Sequence, residues 1–212
     1  MSVSATSRVR QMFLWGFPLG ALAATWLYWP LVQGTGFAFP LYLLSAPFLF
    51  ALVLIPVVTA HLHLWSWRMP LVHLAFLWST YSALGIVIIS DTIVAPFTVL
   101  TVIKSALFCG LLGGGIGTLV DIVGIDEGLL ELHYTTTERG TVQTVLSYSF
   151  KFFGIFSAIY GVVAKAAYTL LVELGATRWL PALILGTAAV LAVPFVLHFL
   201  LPAREREPER AN

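Results

Sequence analysis

The stretch Ile93-Val-Ala-Pro-Phe-Thr-Val-Leu-Thr-Val-Ile-Lys-Ser-Ala-Leu-Phe-Cys-Gly-Leu-Leu-Gly-Gly-Gly-Ile-Gly-Thr-Leu-Val-Asp121 decides the fold. From Ile93 to Val120 it carries a single charged residue, Lys104. A bilayer core about 30 Å thick takes roughly 20 apolar residues rising about 1.5 Å each, and only helices or closed barrels satisfy their backbone polar groups there. Barrel strands alternate apolar and polar residues, and this run does not. It reads as a membrane-crossing helix.

Five further runs have the same character, so the spans fall at about 12 to 33, 40 to 64, 69 to 90, 93 to 121, 142 to 172 and 179 to 201. The expected fold class is all-α, an integral membrane bundle of about six transmembrane helices. The links are short, which makes neighbouring helices antiparallel and residues 1–212 a single membrane domain, with a charged hairpin at 122–140 and a charged C-terminal tail at 203–212. Composition agrees: 59% of residues are hydrophobic and 10% charged, against roughly 25% charged in a soluble domain, and the mean hydropathy is +0.93.

The basic residues of the short loops set the orientation. Arg8, Arg10, Arg68, Arg139, Arg204, Arg206 and Arg210 fall on one side, and Arg178 alone on the other. Both termini therefore face the positive side. A net charge of +1 without a basic stripe excludes nucleic acid as a partner. The apolar run at 12 to 32 is longer than a signal-peptide core and reads as a retained helix, although the acid-free start, with Arg8 and Arg10 among serines, has some transit-peptide character. Cys109, the one cysteine, reads as a small packing residue. The expected partners are membrane lipids and other membrane subunits, and no cofactor is expected.

Spans one to three are bulky. They hold six of the seven tryptophans, most of them near span ends where amphipathic rings anchor at headgroup level, and Pro47 and Pro56 should bend span two. Span four is the opposite, with Gly110, Gly113, Gly114, Gly115 and Gly117 inside nine residues. Gly110 with Gly114, and Gly113 with Gly117, stand four apart, so each pair shares a helix face that lets another backbone approach closely. Glycine in a helix interior costs about 1 kcal/mol relative to alanine, so this cluster implies a compensating contact. Span five offers small residues at matching intervals, Gly154, Ser157, Ala158, Gly161 and Ala164. Two uses of the seam stand open: packing of spans four and five on each other, or docking of another subunit.

Ionisable groups inside a membrane cost about 2.5 to 3.5 kcal/mol each on insertion scales and mark candidate sites. Lys151 is expected to pair with Asp121, and Lys104 or Lys165 with Asp91 or Glu173; lysines near span ends can instead snorkel to the interface. His61, His63, His73 and His198 lie on one side of the membrane, close to the interface, and raise the question of a bis-histidine haem. No acidic cluster accompanies them. The hairpin, with Asp126, Glu127, Glu131, Glu138 and His133, carries groups that suit acid-base work or a divalent cation, but it reads as a solvated loop in which Thr136 or Thr137 caps span five. A phosphate-binding glycine loop, a nucleophile elbow and paired metal-ligand spacings are all missing from the sequence.

Across roughly residues 105 to 200 three segments occur in order. They are the glycine run Gly110 to Gly117, then Ser149-Phe-Lys-Phe-Phe-Gly-Ile-Phe-Ser-Ala-Ile-Tyr-Gly161 closing at Lys165, then Leu185-Gly-Thr-Ala-Ala-Val-Leu-Ala192. This order resembles the mitochondrial inner-membrane preprotein translocase channel family, to which an accessory membrane subunit of respiratory complex I is similar. The resemblance implies a mitochondrial inner-membrane location, with Lys165 at the family's basic position and Gly110, Gly114 and Gly161 at helix-packing positions. The segment from Asp121 to Lys151 also looks like the cytoplasmic hairpin and lysine-bearing helix of sodium-sugar symporters of the major facilitator class. The expected function is a non-catalytic accessory subunit of a large membrane assembly, of the respiratory chain if the first resemblance holds. A transporter or channel is the first alternative, and a haem- or quinone-binding redox subunit the second.

Overall fold

Pro96 sets where the fourth apolar stretch becomes a helix. Proline lacks an N–H, and its ring disfavours the helical region for the residue before it. Ala95 is accordingly extended, with φ −58° and ψ 156°. The chain restarts at Thr98, whose hydroxyl accepts from the Thr101 N–H at 3.2 Å while the Thr101 hydroxyl accepts from the Thr98 N–H at 3.0 Å. This reciprocal cap begins the long helix at Val99, not at Ile93 as the apolar pattern suggested.

The computed structural model describes residues 8–33, 36–62, 65–132 and 141–195. Its helices are α1 (Arg8–Gln11), α2 (Phe17–Gln33), α3 (Ala38–Leu62), α4 (Leu71–Ile88), α5 (Ser90–Val94), α6 (Val99–Asp126), α7 (Thr141–Tyr168) and α8 (Leu180–Phe195). A π-helical turn at Met12–Gly16 joins α1 to α2, and another at Thr169–Glu173 extends α7. The all-α bundle is as expected. Among the described residues four helices are long and apolar enough to cross a membrane, Ala38–Pro56, Leu71–Ile88, Val99–Asp126 and Ser149–Glu173, and Thr177–Val193 is apolar but shorter.

One element escaped the sequence reading. Strands β1 (Trp65–Trp67) and β2 (Leu130–Leu132) pair antiparallel, with Trp65 opposite Leu132 and Trp67 opposite Leu130. The expected hairpin at 122–140 is therefore helical as far as Asp126, turns at Gly128 with φ 66°, and then forms a strand. Residues 133–140, with the expected caps Thr136 and Thr137, and the tail at 203–212 lie outside the described residues.

The most extensive helix contact joins α6 to α7. A Cβ on Gly117 would overlap the Cβ and ring of Phe153, and one on Gly113 would overlap Ser157. A Cβ on Gly161 would lie 2.5 Å from the Ser105 carbonyl oxygen and 2.7 Å from the Cys109 Cβ. Gly110 faces Ala158 and the Gly154 carbonyl, each 3.1 Å from the position of a Cβ, and Gly114 faces Phe150 at the same distance. The seam is thus consumed inside the chain, which corrects its use as a docking surface for another subunit. Cys109 is buried in it as a packing residue.

Elsewhere the interior is aromatic. Trp29, Phe39 and Tyr168 are mutually in ring contact, with centroids 4.8 to 5.9 Å apart. A second group joins Phe50, Trp78 and Phe156, with centroids 4.8 to 5.8 Å apart, and extends to Tyr160. Trp29 is 1% exposed. It is a core residue and not the interfacial anchor its place near a span end suggested; mid-span Trp78 packs against the same core, whereas Trp15 and Trp179 are exposed. Pro47 sits inside α3 and leaves the Leu43 carbonyl without its usual donor; the Tyr160 hydroxyl donates to that oxygen at 2.8 Å. The Ser79 hydroxyl donates to the next carbonyl, Leu44.

Two classes of glycine variant should behave oppositely. Gly117→Ala and Gly161→Ala force side chain or backbone to move and should each destabilise by about 1–3 kcal/mol, the range for overpacking. A Cβ on Gly115 meets nothing within 4 Å. Gly115→Ala should therefore stabilise by up to about 1 kcal/mol through helix propensity, read as unfolding midpoints in one detergent–lipid mixture.

Candidate functional site

Asp121 lies on α6 one helical turn before its end and is 4% exposed. The register of α6 against α7 brings Ser149 to it, and the Ser149 hydroxyl donates to Oδ2 at 2.5 Å. A carboxylate offers about four acceptor positions, and among the described residues this hydrogen bond fills one of them. Lys151 does not supply the rest: it is exposed, two residues into the apolar part of α7, and no ion pair joins it to Asp121. The expected Lys151–Asp121 pair is replaced by the shorter Ser149 contact. The reason is helical phase, because Lys151 stands two positions from Ser149 and points away from α6.

The other walls of the Asp121 site are aromatic and aliphatic. A cavity of about 20 Å³ is lined by Leu54, Ile55, Trp67, Trp78, Phe152 and Phe153 together with Asp121. Three of these rings meet at oblique angles. Trp78 lies 6.1 Å from Phe152 and 5.2 Å from Phe153, and the two phenylalanines are 5.4 Å apart with their planes at 72°. Trp67 comes from β1. Its ring lies over Gly124, where a Cβ would sit 3.1 Å from it. The strand pair holds it in place, helped by the Arg68 N–H bonded to the Leu129 carbonyl at 2.8 Å and by an exposed ion pair of Arg68 with Glu131. A second cavity of about 40 Å³ lies between α4 and the α6–α7 pair, and Trp78 and Phe153 are walls of both.

Lys165 is fully buried. Its Nζ donates to the Ile93 carbonyl at 2.6 Å and also to the Ala95 carbonyl. Those carbonyls are freed because Pro96 stops helical continuation, and a cation suits the carbonyl end of a helical segment. The ammonium also lies 5.8 Å from the centre of the Tyr168 ring. Glu173 is close enough to act on it electrostatically, but no ion pair forms with Glu173 or Asp91, both of which are exposed. The expected carboxylate partner is thus displaced by backbone carbonyls. Lys104 is also exposed, and without a partner among the described residues. The late start of α6 explains this: Lys104 stands five residues after Val99, about 7.5 Å along the axis and close to the interface.

Of the histidines only His73 has a described side chain. Its ring is edge-on to Trp15, with centroids 4.6 Å apart, and is hydrogen-bonded to the Leu14 backbone. His61, His63 and His198 lie outside the described side chains, and no group of three potential metal ligands occurs among the described residues.

No protein-family model, curated protein or solved structure matches this chain.

The sequence reading found Asp121 and Lys165 but missed their surroundings. Ser149, twenty-eight residues from Asp121, stood in the sequence only as the first residue of the run that carries the family resemblance. Trp67 reaches the site through a strand pair that no periodicity announced. Lys165→Met should leave two buried carbonyls without donors and lower stability by about 1–3 kcal/mol per carbonyl. Lys104→Met, on the exposed face, should change it by less than about 0.5 kcal/mol, in the same unfolding assay.

Proposed function

We propose that the chain is a non-catalytic accessory subunit of a larger membrane assembly, attached through the outward face of α6. One observation carries this reading, the exposed Lys104 among exposed apolar side chains. Along that face Lys104, Phe108, Leu111, Gly115 and Leu119 recur at spacings of four and three. Leu111 and Leu119 are each 62% exposed, and Gly115 has open space where a side chain would be. Apolar residues alone are at home against lipid. A lysine on such a face, near the interface, can meet a carboxylate supplied by a neighbouring polypeptide, and open space at Gly115 lets a helix backbone approach about 16 Å further along the axis.

The filled interior supports contact over passage. The aromatic groups around Trp29 and Phe50 occupy the middle of the bundle, and the Tyr28, Tyr42 and Tyr160 hydroxyls are used internally, on Ser90, Thr187 and the Leu43 carbonyl. These observations favour an assembly subunit over a transporter or channel. Among the described residues a haem- or quinone-binding subunit draws support only from His73, whose ring is bonded to Leu14 and edge-on to Trp15 while its Nε2 is buried without a hydrogen-bond partner. Placement in a mitochondrial respiratory complex rests on the resemblance of residues 105 to 200 to the translocase family.

A photo-crosslinking residue at Leu111, in protein kept in its own membrane, should give one discrete heavier adduct. The same residue at Leu185, on the exposed face of α8, should not. Lys104→Glu should lower the Leu111 adduct by about tenfold without shifting the unfolding midpoint. Equal adducts at both positions, migration as a single chain or as a homo-oligomer on native gels, or indifference to Lys104→Glu would overturn the proposal.

A further inference from the structure

The assembly reading uses neither Asp121 nor the two cavities beside it. We propose that this pocket binds a small amphipathic organic cation, with a primary ammonium head against Asp121 and an aromatic or short alkyl tail in the adjoining cleft between α4 and the α6–α7 pair.

The charge comes first. Asp121 is buried, holds one hydrogen bond from Ser149, and faces no cationic side chain among the described residues. A carboxyl group in that setting calls for a cation or a proton. The remaining walls select the kind of cation. Hard metal ions need six or more oxygen ligands, or a retained water shell, and apart from Asp121 the lining here is carbon and indole. An alkylammonium needs less, because its charge is stabilised by one carboxylate and by the faces of aromatic rings, tryptophan best of all. Trp67, Trp78, Phe152 and Phe153 supply four such rings, and the oblique angles among the last three make a corner, not a flat stack.

Size and shape point the same way. A void of about 20 Å³ exceeds the roughly 10–15 Å³ that one water occupies on this measure. It holds an –NH3+ group and excludes a hydrated ion. The second cavity, about 40 Å³, lies beside the first, since Trp78 and Phe153 wall both, and Tyr81, Ser82, Gly113, Gly117 and Val120 line it further. Side chains at Gly113 and Gly117 would fill the wall where α6 meets α7, so the glycines of the seam also shape this cleft. A molecule with one charged end and one apolar end matches the pair of cavities in sequence.

The test uses the full chain in nanodiscs of zwitterionic lipid, with radiolabelled benzylammonium as probe, neutral benzyl alcohol as its near-isostere, and empty discs as background. Equilibrium dialysis should show saturable binding of benzylammonium at about one equivalent per chain, and none of benzyl alcohol. Asp121→Asn keeps the shape and the Ser149 contact but removes the charge, and should weaken binding by about 30-fold or more, as for truncation of a buried charge pair. Trp78→Leu, which leaves the carboxyl group in place, should weaken it by about fivefold or more. Unfolding midpoints of both variants establish that they are folded, and a variant that has lost its fold is replaced by Phe153→Leu. Benzylammonium binding that does not saturate above empty discs, equal binding of the neutral probe, or wild-type affinity in folded Asp121→Asn overturns the proposal.

Discussion

Backbone-to-backbone approach of α6 and α7 is the constraint on which the rest of the molecule depends. Water does not drive helices together inside a bilayer, so association there relies on close van der Waals contact and on interhelical hydrogen bonds. Gly113, Gly117 and Gly161 provide the first by having no side chain where Ser157, Phe153 and the Ser105 carbonyl lie. The same contact fixes the azimuth of both helices. It turns Ser149 toward Asp121, Lys165 toward α5, and Lys104 and Lys151 outward. The placements of Ser149, Lys165, Lys104 and Lys151 follow from that one register.

A second theme is how helix irregularities are matched to polar side chains. Pro47 frees the Leu43 carbonyl, and Tyr160 takes it. Pro96 stops the chain after α5, and Lys165 takes the carbonyls left at Ile93 and Ala95. In each case an interruption in one helix is answered by a donor from α7, seventy residues or more away along the chain. An unpaired backbone group in hydrocarbon costs several kcal/mol, so these donors tie α7 to α3 and to α5 by polar contacts at defined depths. Helix α7 is in this sense the organiser of the bundle, and its own small residues are what allow it to sit centrally.

The membrane class, the helical runs and the glycine face were legible because each is a local statement about composition or period. The identity of the partner face was not, since Gly110 and Gly117 announce a close contact without naming what makes it. Charge pairing was the weakest reading. Depth alone suggested Lys151 for Asp121 and a carboxylate for Lys165, but helical phase decides which side chains meet, and Pro96 shifted the start of α6 by six residues. Trp67 was invisible as a site residue because β1 and β2 are three residues each and pair across more than sixty positions of sequence. The tryptophans taken for interfacial anchors show the same limit: Trp29 stands near a span end in sequence and in the core in space.

The clasp of β1 with β2 bears on biogenesis. Trp65–Trp67 leaves the ribosome soon after α3, yet its pairing partner follows only after α4, α5 and the whole of α6 have been made. During synthesis the loop after α3 must therefore wait, unpaired, while α4, α5 and α6 are made. Closure of the strands, with Arg68 just after β1 meeting Glu131 of β2, brings Trp67 over Gly124 and closes one wall of the cavity at Asp121. The pocket thus comes into being only once the two halves of the chain have met, making its completion a late checkpoint of assembly and not a property of either half alone.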